Sequence, residues 1–234
     1  TMLLLRYPVD VKSFMFETHK LIKKKYFKKI FKRLITKKLN SKFLFSSVVP
    51  LLFNEIKKNF IDTKYEIIEI KDLKIKKVIK IDIKKINQLG SDRIVNAIGA
   101  KKYKNCLILD FGTATTFDII KNCVYVGGVI APGVKLSMMN LSKSTALLPM
   151  FNLKNNQRSY GKNTKDALNA GFIWGYEGLI NNIISKITSK WKIKYNIILT
   201  GGYASFFKKV IKKKTIIDQN ITINGISKVY RELI

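Results

Sequence analysis

The sequence predicts a layered α/β protein with two related halves. Strand-like stretches dominate the middle of the chain, and helical patterns follow them. Three strands are expected in succession in "NCLILDFG", "TATTFDII" and "CVYVGGVIAPG", the last two joined at a Lys121–Asn122 turn. A later run, "YNIILTGGYASFFKKVI", indicates a strand, a glycine turn and a helix. Alternation of this kind favours α/β layers over a helical bundle.

The remaining elements follow from periodicity and capping residues. Apolar residues at spacings of three and four predict helices over residues 20–38 and 163–191, the second capped by Asn163. "VKLSMMNLSK" is also expected to be helical. Ser91 and Asp92 are expected as the cap and the first-turn acid of a further helix. "FLFSSVVP" predicts a strand ended by proline, and "KYEIIEI" and "KKVIKIDI" alternate as strands do.

Composition excludes some classes of protein. The 234 residues are 47% apolar, which is enough for a packed core and not typical of a disordered chain. No apolar run reaches about eighteen residues, so no membrane span is expected. Cys106 and Cys123 lie in apolar runs and are expected to be buried, reduced thiols, which suits a cytoplasmic protein.

The net charge of +30 does not by itself indicate a nucleic-acid partner, because the lysines are spread along the whole chain. A dedicated binder clusters its basic residues on one face and interleaves aromatic residues. The stretch over residues 20–38 comes nearest to that pattern. It fits a surface helix with a solvated lysine face, which is the favoured interpretation, or a helix that binds nucleic acid or an anionic membrane.

Two short polar turns are candidates for phosphate binding. In the first, Gly112 lets the backbone approach a ligand closely, and backbone N–H groups and the Thr113 hydroxyl can bind phosphate oxygens. Asp110 is the only charge nearby and is expected to face a cation or water. The alternative is an ordinary hairpin turn. The second turn, Thr200-Gly201-Gly202, has the same chemistry available.

An acid and an arginine lie side by side at the start of a predicted helix in "LGSDRIVNAIGA". Arg93 can bind a carboxylate through two parallel hydrogen bonds, and Asp92 can take a proton from a hydroxyl group. The alternative is a capped helix with a surface ion pair.

Together these stretches resemble the type III pantothenate kinase family. The resemblance runs from about residue 40 to the C-terminus, and its landmarks stand in the family's order: "SSVVP", "LGSDRIVNAIGA", "DFGTATTFD", "GGVIAPGVKLS", "STALLP", "GKNT", "AGFIWGYEG" and "LTGGYA". It implies two ribonuclease-H-like halves of the actin-like ATPase type, residues 1–105 and 106–234, with a nucleotide cleft between them. It also implies a homodimer.

The resemblance implies that ATP phosphorylates pantothenate to 4′-phosphopantothenate, the first step toward coenzyme A. Asp92 would be the catalytic general base, and Arg93 would hold the pantothenate carboxylate. Gly90 and Ser91 would complete that pocket. Thr164 would contact pantothenate across the dimer interface, so that the active site is shared between subunits.

The resemblance also implies a nucleotide side of the site. Gly112 and Thr113 would bind ATP phosphate, and Gly201 and Gly202 would lie near the adenosine. Asp110 would coordinate a potassium or ammonium ion, and Mg²⁺ would accompany ATP.

The resemblance breaks near the N-terminus. The family begins with a strand that ends in an Asp-x-Gly-Asn-Thr turn, the first phosphate loop. Here Met2–Leu5 fits the strand, but residues 6–13 read "RYPVDVKS", with no glycine and no Asn-Thr pair. An altered N-terminal sequence, a decayed paralogue and a contact supplied by another segment are all open explanations. A catalytically impaired member that binds nucleotide or pantothenate, or that regulates, is therefore the alternative function.

The helix over residues 163–191 carries a stripe of small residues, Ala167, Gly171, Gly175 and Gly178. Another element can approach such a stripe closely. Internal packing within the monomer and a role at the subunit interface are both open.

Overall fold

The computed structural model describes residues 2–4, 14–16, 42–47, 50–58, 60–61, 64–154, 159–190 and 193–234. The chain forms two compact units, Thr1–Lys102 with Asn220–Ile234, and Tyr103–Gln219. The predicted helix over residues 20–38 and the altered segment 6–13 lie outside the described residues. The division into halves 1–105 and 106–234 stays a prediction.

Ten strands and six α-helices make up the described part of the chain. The strands are β1 (Met2–Leu4), β2 (Phe14–Phe16), β3 (Lys42–Ser46), β4 (Glu66–Glu69), β5 (Lys80–Ile81), β6 (Cys106–Phe111), β7 (Ala114–Lys121), β8 (Val124–Pro132), β9 (Asn196–Gly201) and β10 (Thr215–Ile217). The α-helices are α1 (Pro50–Lys58), α2 (Ser91–Gly99), α3 (Val134–Lys143), α4 (Thr164–Ser189), α5 (Ala204–Phe207) and α6 (Ile221–Leu233). None of these helices is long and apolar enough to cross a membrane.

In the first unit, the sheet has the strand order β2-β1-β3-β4. β3 and β4 are parallel, with Lys42 opposite Glu66 and Phe45 opposite Glu69. The continuous apolar run of β3 is buried on both faces, as expected of a strand inside a sheet. The strand ends at Ser46, so the predicted end at Pro50 is wrong. Pro50 is instead the first residue of α1, where the missing N–H of proline is tolerated.

Helices α2 and α6 pack with their backbones in direct contact. A Cβ atom on Gly225 would lie 1.8 Å from the Val95 carbonyl oxygen, and one on Gly99 would lie 2.1 Å from the Ile221 carbonyl oxygen. Between these glycines the Thr222 hydroxyl donates to Asn96 Oδ1 at 2.6 Å. The C-terminal helix therefore holds α2 in the first unit.

The second unit has the strand order β10-β9-β6-β7-β8. β6, β7 and β8 pair antiparallel, whereas β6 pairs parallel with β9 and β9 parallel with β10. This is the ribonuclease-H-like topology, and it confirms the predicted α/β fold class. The core beneath the sheet includes fully buried side chains from β6, β7, β9, α4 and α5, namely Leu107, Phe117, Leu199, Ile180 and Phe207.

Three local predictions can be compared directly with the structure. Asn163 caps α4, since its side-chain oxygen accepts from the Asp166 N–H at 3.0 Å. The turn between β7 and β8 lies at Asn122–Cys123, one residue later than predicted, where both φ angles are positive (50° and 63°) as a two-residue hairpin requires. Both cysteines are free, but Cys123 is exposed at this turn and only Cys106 is buried.

Candidate functional site

The tip of α2 carries the predicted substrate residues. Gly90, not Ser91, precedes the first helical turn as its cap. Ser91 is fully buried, and its hydroxyl donates to the Ser47 carbonyl oxygen at 2.9 Å. Asp92 and Arg93 are half-buried, and Asp92 Oδ1 accepts from the Arg93 N–H at 2.8 Å. Ser91 thus anchors the tip, while Asp92 satisfies a donor of the first turn.

A buried carboxylate next to this tip was not predicted. Glu69, at the end of β4, is 8% exposed. Its Oε1 accepts from the Ser47 N–H at 3.4 Å, and its Oε2 accepts from the Lys71 N–H. Burial raises the pKa of Glu69 and the nearby Asp72 charge adds to this, whereas the hydrogen bonds oppose it.

Stability should depend on the protonation of Glu69. Because its pKa is raised above 4.5, the folded chain holds this proton where the unfolded chain has lost it. The stability that this bound proton contributes is therefore fully present below the pKa of Glu69 in the unfolded chain. It is lost as the pH rises through the pKa of Glu69 in the folded chain. We expect the unfolding free energy of the wild type to fall over this range relative to Glu69→Gln, which does not titrate. Urea unfolding at a series of pH values tests this; parallel stability curves would contradict it.

In the second unit, the two predicted phosphate turns are neighbours. β6 and β9 are parallel, with Asp110 opposite Thr200 and Phe111 opposite Gly201, so that their carboxyl ends meet. The Gly202 N–H donates to the Phe111 carbonyl oxygen at 3.2 Å. The structure thus brings together the segments Asp110–Thr113 and Thr200–Gly202.

Backbone donors in these turns are partly used within the protein. The Gly112 N–H donates to the Ala114 carbonyl oxygen at 3.1 Å, and the Gly202 N–H is taken by Phe111. The exposed Thr113 side chain is therefore a better candidate for a phosphate contact than either of these two amides.

Two glycines make this convergence possible. Gly201 has φ +85°, and a Cβ atom there would lie 2.6 Å from Asp110 Oδ1. Gly133, just after β8, would place a Cβ atom 1.9 Å from the Thr113 carbonyl oxygen. Gly133 was not among the predicted site residues, although its position at a strand end in "GGVIAPG" was the available signal. These two glycines let the turns and the end of β8 pack closely beside Asp110, whereas a Cβ atom on Gly202 would meet nothing within 4 Å, which leaves the backbone there open to a ligand.

Asp110 is the only acidic residue in the two predicted turns, Asp110–Thr113 and Thr200–Gly202. Among the described residues, no group of three or more His, Cys, Asp or Glu side chains could hold a metal ion. A single carboxylate is an oxygen donor that fits a weakly held cation better than a tightly bound resident metal.

Thr164 lies in another part of the second unit. It is the first residue of α4, it is exposed, and it lines a cavity of about 640 Å³. Gly171 and Gly175 lie in the same wall, and a Cβ atom on either would meet nothing within 4 Å. Thr164 and the small-residue stripe therefore share one apolar surface.

The strand topology of the second unit defines an α/β protein with a ribonuclease-H-like sheet, in which two glycine turns lie side by side. The sequence profile of the type III pantothenate kinase family matches residues 10–186. The chain belongs to the type III pantothenate kinase family.

Individual proteins agree with this assignment. The chain is 48% identical over 188 residues to a type III pantothenate kinase of Pelagibacter ubique, covering 80% of this chain and 75% of that protein. It is 37% identical over 149 residues to one of Akkermansia muciniphila, covering 62% of each. A crystal structure of a Baf family protein from Campylobacter jejuni superposes with a TM-score of 0.61 at 22% identity, covering 97% and 92% of the two chains. At this identity the structural likeness shows the fold alone.

Proposed function

We propose that the chain transfers the γ-phosphoryl group of ATP to pantothenate, giving 4′-phosphopantothenate and ADP, the first step of coenzyme A biosynthesis. Membership of a family whose named relatives are pantothenate kinases supports the substrate. The observation that carries the chemistry is the Asp92 carboxylate, held in the first turn of α2 beside Arg93.

In this proposal Asp92 takes the proton of the primary hydroxyl of pantothenate. The hydroxyl oxygen forms a bond to the γ-phosphorus, the bond from that phosphorus to the bridging oxygen breaks, and ADP leaves. Arg93 binds the pantothenate carboxylate, which orients the hydroxyl. Gly90 is assigned to the wall of the pantothenate pocket, and the buried Ser91 supports it from behind, because its hydroxyl fixes this turn to Ser47.

The glycine turns of the second unit would hold ATP. Thr113 and Gly112 are assigned to the phosphates, Gly201 and Gly202 to the adenosine side, and Mg²⁺ enters with the nucleotide. A potassium or ammonium ion at Asp110 would offset phosphate charge. We place the reaction in the cytoplasm, which suits two free thiols.

The test is ADP release by the wild-type chain with ATP, Mg²⁺ and potassium, with and without pantothenate. We expect ADP release that depends on pantothenate, and a product whose mass equals pantothenate plus one phosphate. Absence of pantothenate-dependent ADP release would reject the kinase proposal.

One observation favours the alternative of a catalytically impaired binding or regulatory protein. Residues 6–13 contain no glycine and no Asn-Thr pair, so they lack the Asp-x-Gly-Asn-Thr motif of the family's first phosphate loop. Losing a single transition-state donor costs about 3–4 kcal/mol, or roughly 10²–10³ in rate. Calorimetric binding of pantothenate or ATP without turnover in the same preparation would establish this alternative.

We also propose that the chain is a homodimer through the α4 surface, so that Thr164 serves the partner's site. The cavity there is lined almost wholly by apolar side chains, and Tyr160 and Trp174 nearby in sequence are 72% and 47% exposed. Gly175→Lys places a charge on this surface, and its Cβ atom would meet nothing within 4 Å. We expect light scattering to give twice the monomer mass for the wild type and one monomer mass for the variant; equal masses would contradict the interface.

A further inference from the structure

A buried hydrogen-bond network joins three segments of the first unit at the tip of α2. Glu69 ends β4, Ser47 follows β3, and Ser91 begins α2. The Glu69 carboxyl accepts from the Ser47 N–H at 3.4 Å and from the Lys71 N–H. Ser91 in turn donates to the Ser47 carbonyl oxygen. Ser47 therefore links Glu69, which lies 22 residues later in the chain, to Ser91, which lies 44 residues later.

Such a carboxyl group is unusual in this unit. Among the described residues of the first unit, Glu69 is the only acidic side chain that is buried. Glu66, three residues earlier on β4, is exposed and forms only a surface ion pair with Lys42 at 3.9 Å. Burial of a carboxyl group costs free energy unless it is hydrogen-bonded, so the donors around Glu69 are what make its position tenable.

The backbone of Ser47 is the link between the carboxyl group and the helix. The Ser91 hydroxyl has one proton and donates it to the Ser47 carbonyl oxygen, while the Ser47 N–H donates to Glu69. Ser47 is thus held from both sides, and loss of the carboxyl group would release the residue to which the first turn of α2 is bonded.

We propose that Glu69 is a positioning residue for pantothenate phosphorylation: through Ser91 and Ser47 it fixes the first turn of α2, from which Asp92 and Arg93 act. This inference rests on the proposed function. Its physical basis is that Asp92 and Arg93 directly follow Ser91, so any shift of Ser91 moves both. A misplacement of about 1 Å at a reacting group can cost on the order of 10² in rate.

The experiment compares steady-state kinetics of Glu69→Ala, Glu69→Gln and Ser91→Ala, with pantothenate and ATP varied separately. We expect Glu69→Ala to lower kcat/KM for pantothenate by about 10–100-fold and to leave the KM for ATP unchanged. Ser91→Ala should shift the same parameter in the same direction, because alanine keeps the helix but not the hydroxyl. Glu69→Gln, which keeps an acceptor and gains a donor, should recover much of the loss. Glu66→Ala is the matched control from the same strand.

The outcomes separate this inference from the function on which it rests. If the wild type turns over pantothenate but Glu69→Ala and Ser91→Ala match Glu66→Ala, the positioning role is wrong. If Glu69→Ala affects the pantothenate and ATP parameters equally, the residue is merely structural and the proposal is again overturned. Should Glu69→Ala fail to fold, Ser91→Ala decides. A wild type without pantothenate-dependent turnover overturns the proposed function itself, and the positioning role with it.

Discussion

Asp92→Asn is expected to lower kcat for pantothenate phosphorylation by about 10²–10⁴-fold, the usual contribution of a general base. The amide keeps the size of the side chain and an oxygen that can accept from the Arg93 N–H, so the first turn of α2 should stay formed. What is lost is the group that takes the hydroxyl proton. The KM for pantothenate should change little, because Arg93 still binds the carboxylate.

Asp82→Asn is the matched control, since Asp82 is an exposed acid of the same unit with no proposed role. It should retain wild-type kcat. The measurement is ADP release at saturating ATP over a range of pantothenate concentrations, with thermal melting of each variant. Turnover by Asp92→Asn at the level of the Asp82→Asn control would remove Asp92 from the mechanism.

Gly225→Ala is expected to lower the free energy of unfolding by about 3 kcal/mol. The added Cβ would lie 1.8 Å from the Val95 carbonyl oxygen and 3.1 Å from the Gly99 nitrogen. Both are backbone atoms, so no side chain can turn away to make room. The helices must separate, which also strains the hydrogen bond from Thr222 to Asn96. This cost exceeds the roughly 1 kcal/mol by which alanine favours a helix over glycine.

The same substitution on α4 should act in the opposite direction. A Cβ on Gly178 meets nothing within 4 Å, so Gly178→Ala should leave the stability of the protein unchanged or raise it by up to about 1 kcal/mol. Urea unfolding followed by circular dichroism measures both variants. A Gly225→Ala chain as stable as the wild type would mean that α2 and α6 are not in backbone contact.

The elements that the sequence predicts well are those with strong local signals. The strands β6, β7 and β8 have apolar alternation and turn residues, and Asn163 is a strong helix cap whose side chain forms the expected bond. The stretch over residues 76–83 was predicted as a strand, but only Lys80–Ile81 is one. The residues before it include a 3₁₀ turn, Ile75–Lys77, with Ile75, Val78 and Ile79 buried. The apolar residues of this stretch are spaced by three and four positions as well as by two, so its pattern fits a helical turn as well as a strand.

Helix α6 was not predicted, because β-branched residues and Gly225 lower its intrinsic helix propensity. The buried positions do follow a helical spacing, at Ile221, Gly225, Ile226, Val229 and Tyr230. Here tertiary packing against α2 outweighs propensity. The glycine that argues against a helix in the sequence is the residue that this packing requires.

The site shows the same limit of local reasoning. Asp92, Arg93 and the two glycine turns could be proposed from the sequence because an acid beside an arginine, and glycine beside threonine at a strand end, are visible in a short window; their roles stay predictions. Glu69 could not, since a glutamate in an alternating strand resembles any solvated residue. Its hydrogen-bond partner Ser47 is 22 residues away, and no short window of sequence contains that information.

The packing of α6 on α2 has a consequence for how the protein is made. The segment Tyr103–Gln219 is continuous in sequence, whereas the other unit is interrupted by it and can be completed only after Asn220–Ile234 has been synthesised. At a synthesis rate of about 5–20 residues per second, this delay lasts on the order of ten seconds. During that interval the Val95 and Gly99 face of α2 has no partner, so chaperone binding to nascent chains should be strongest there.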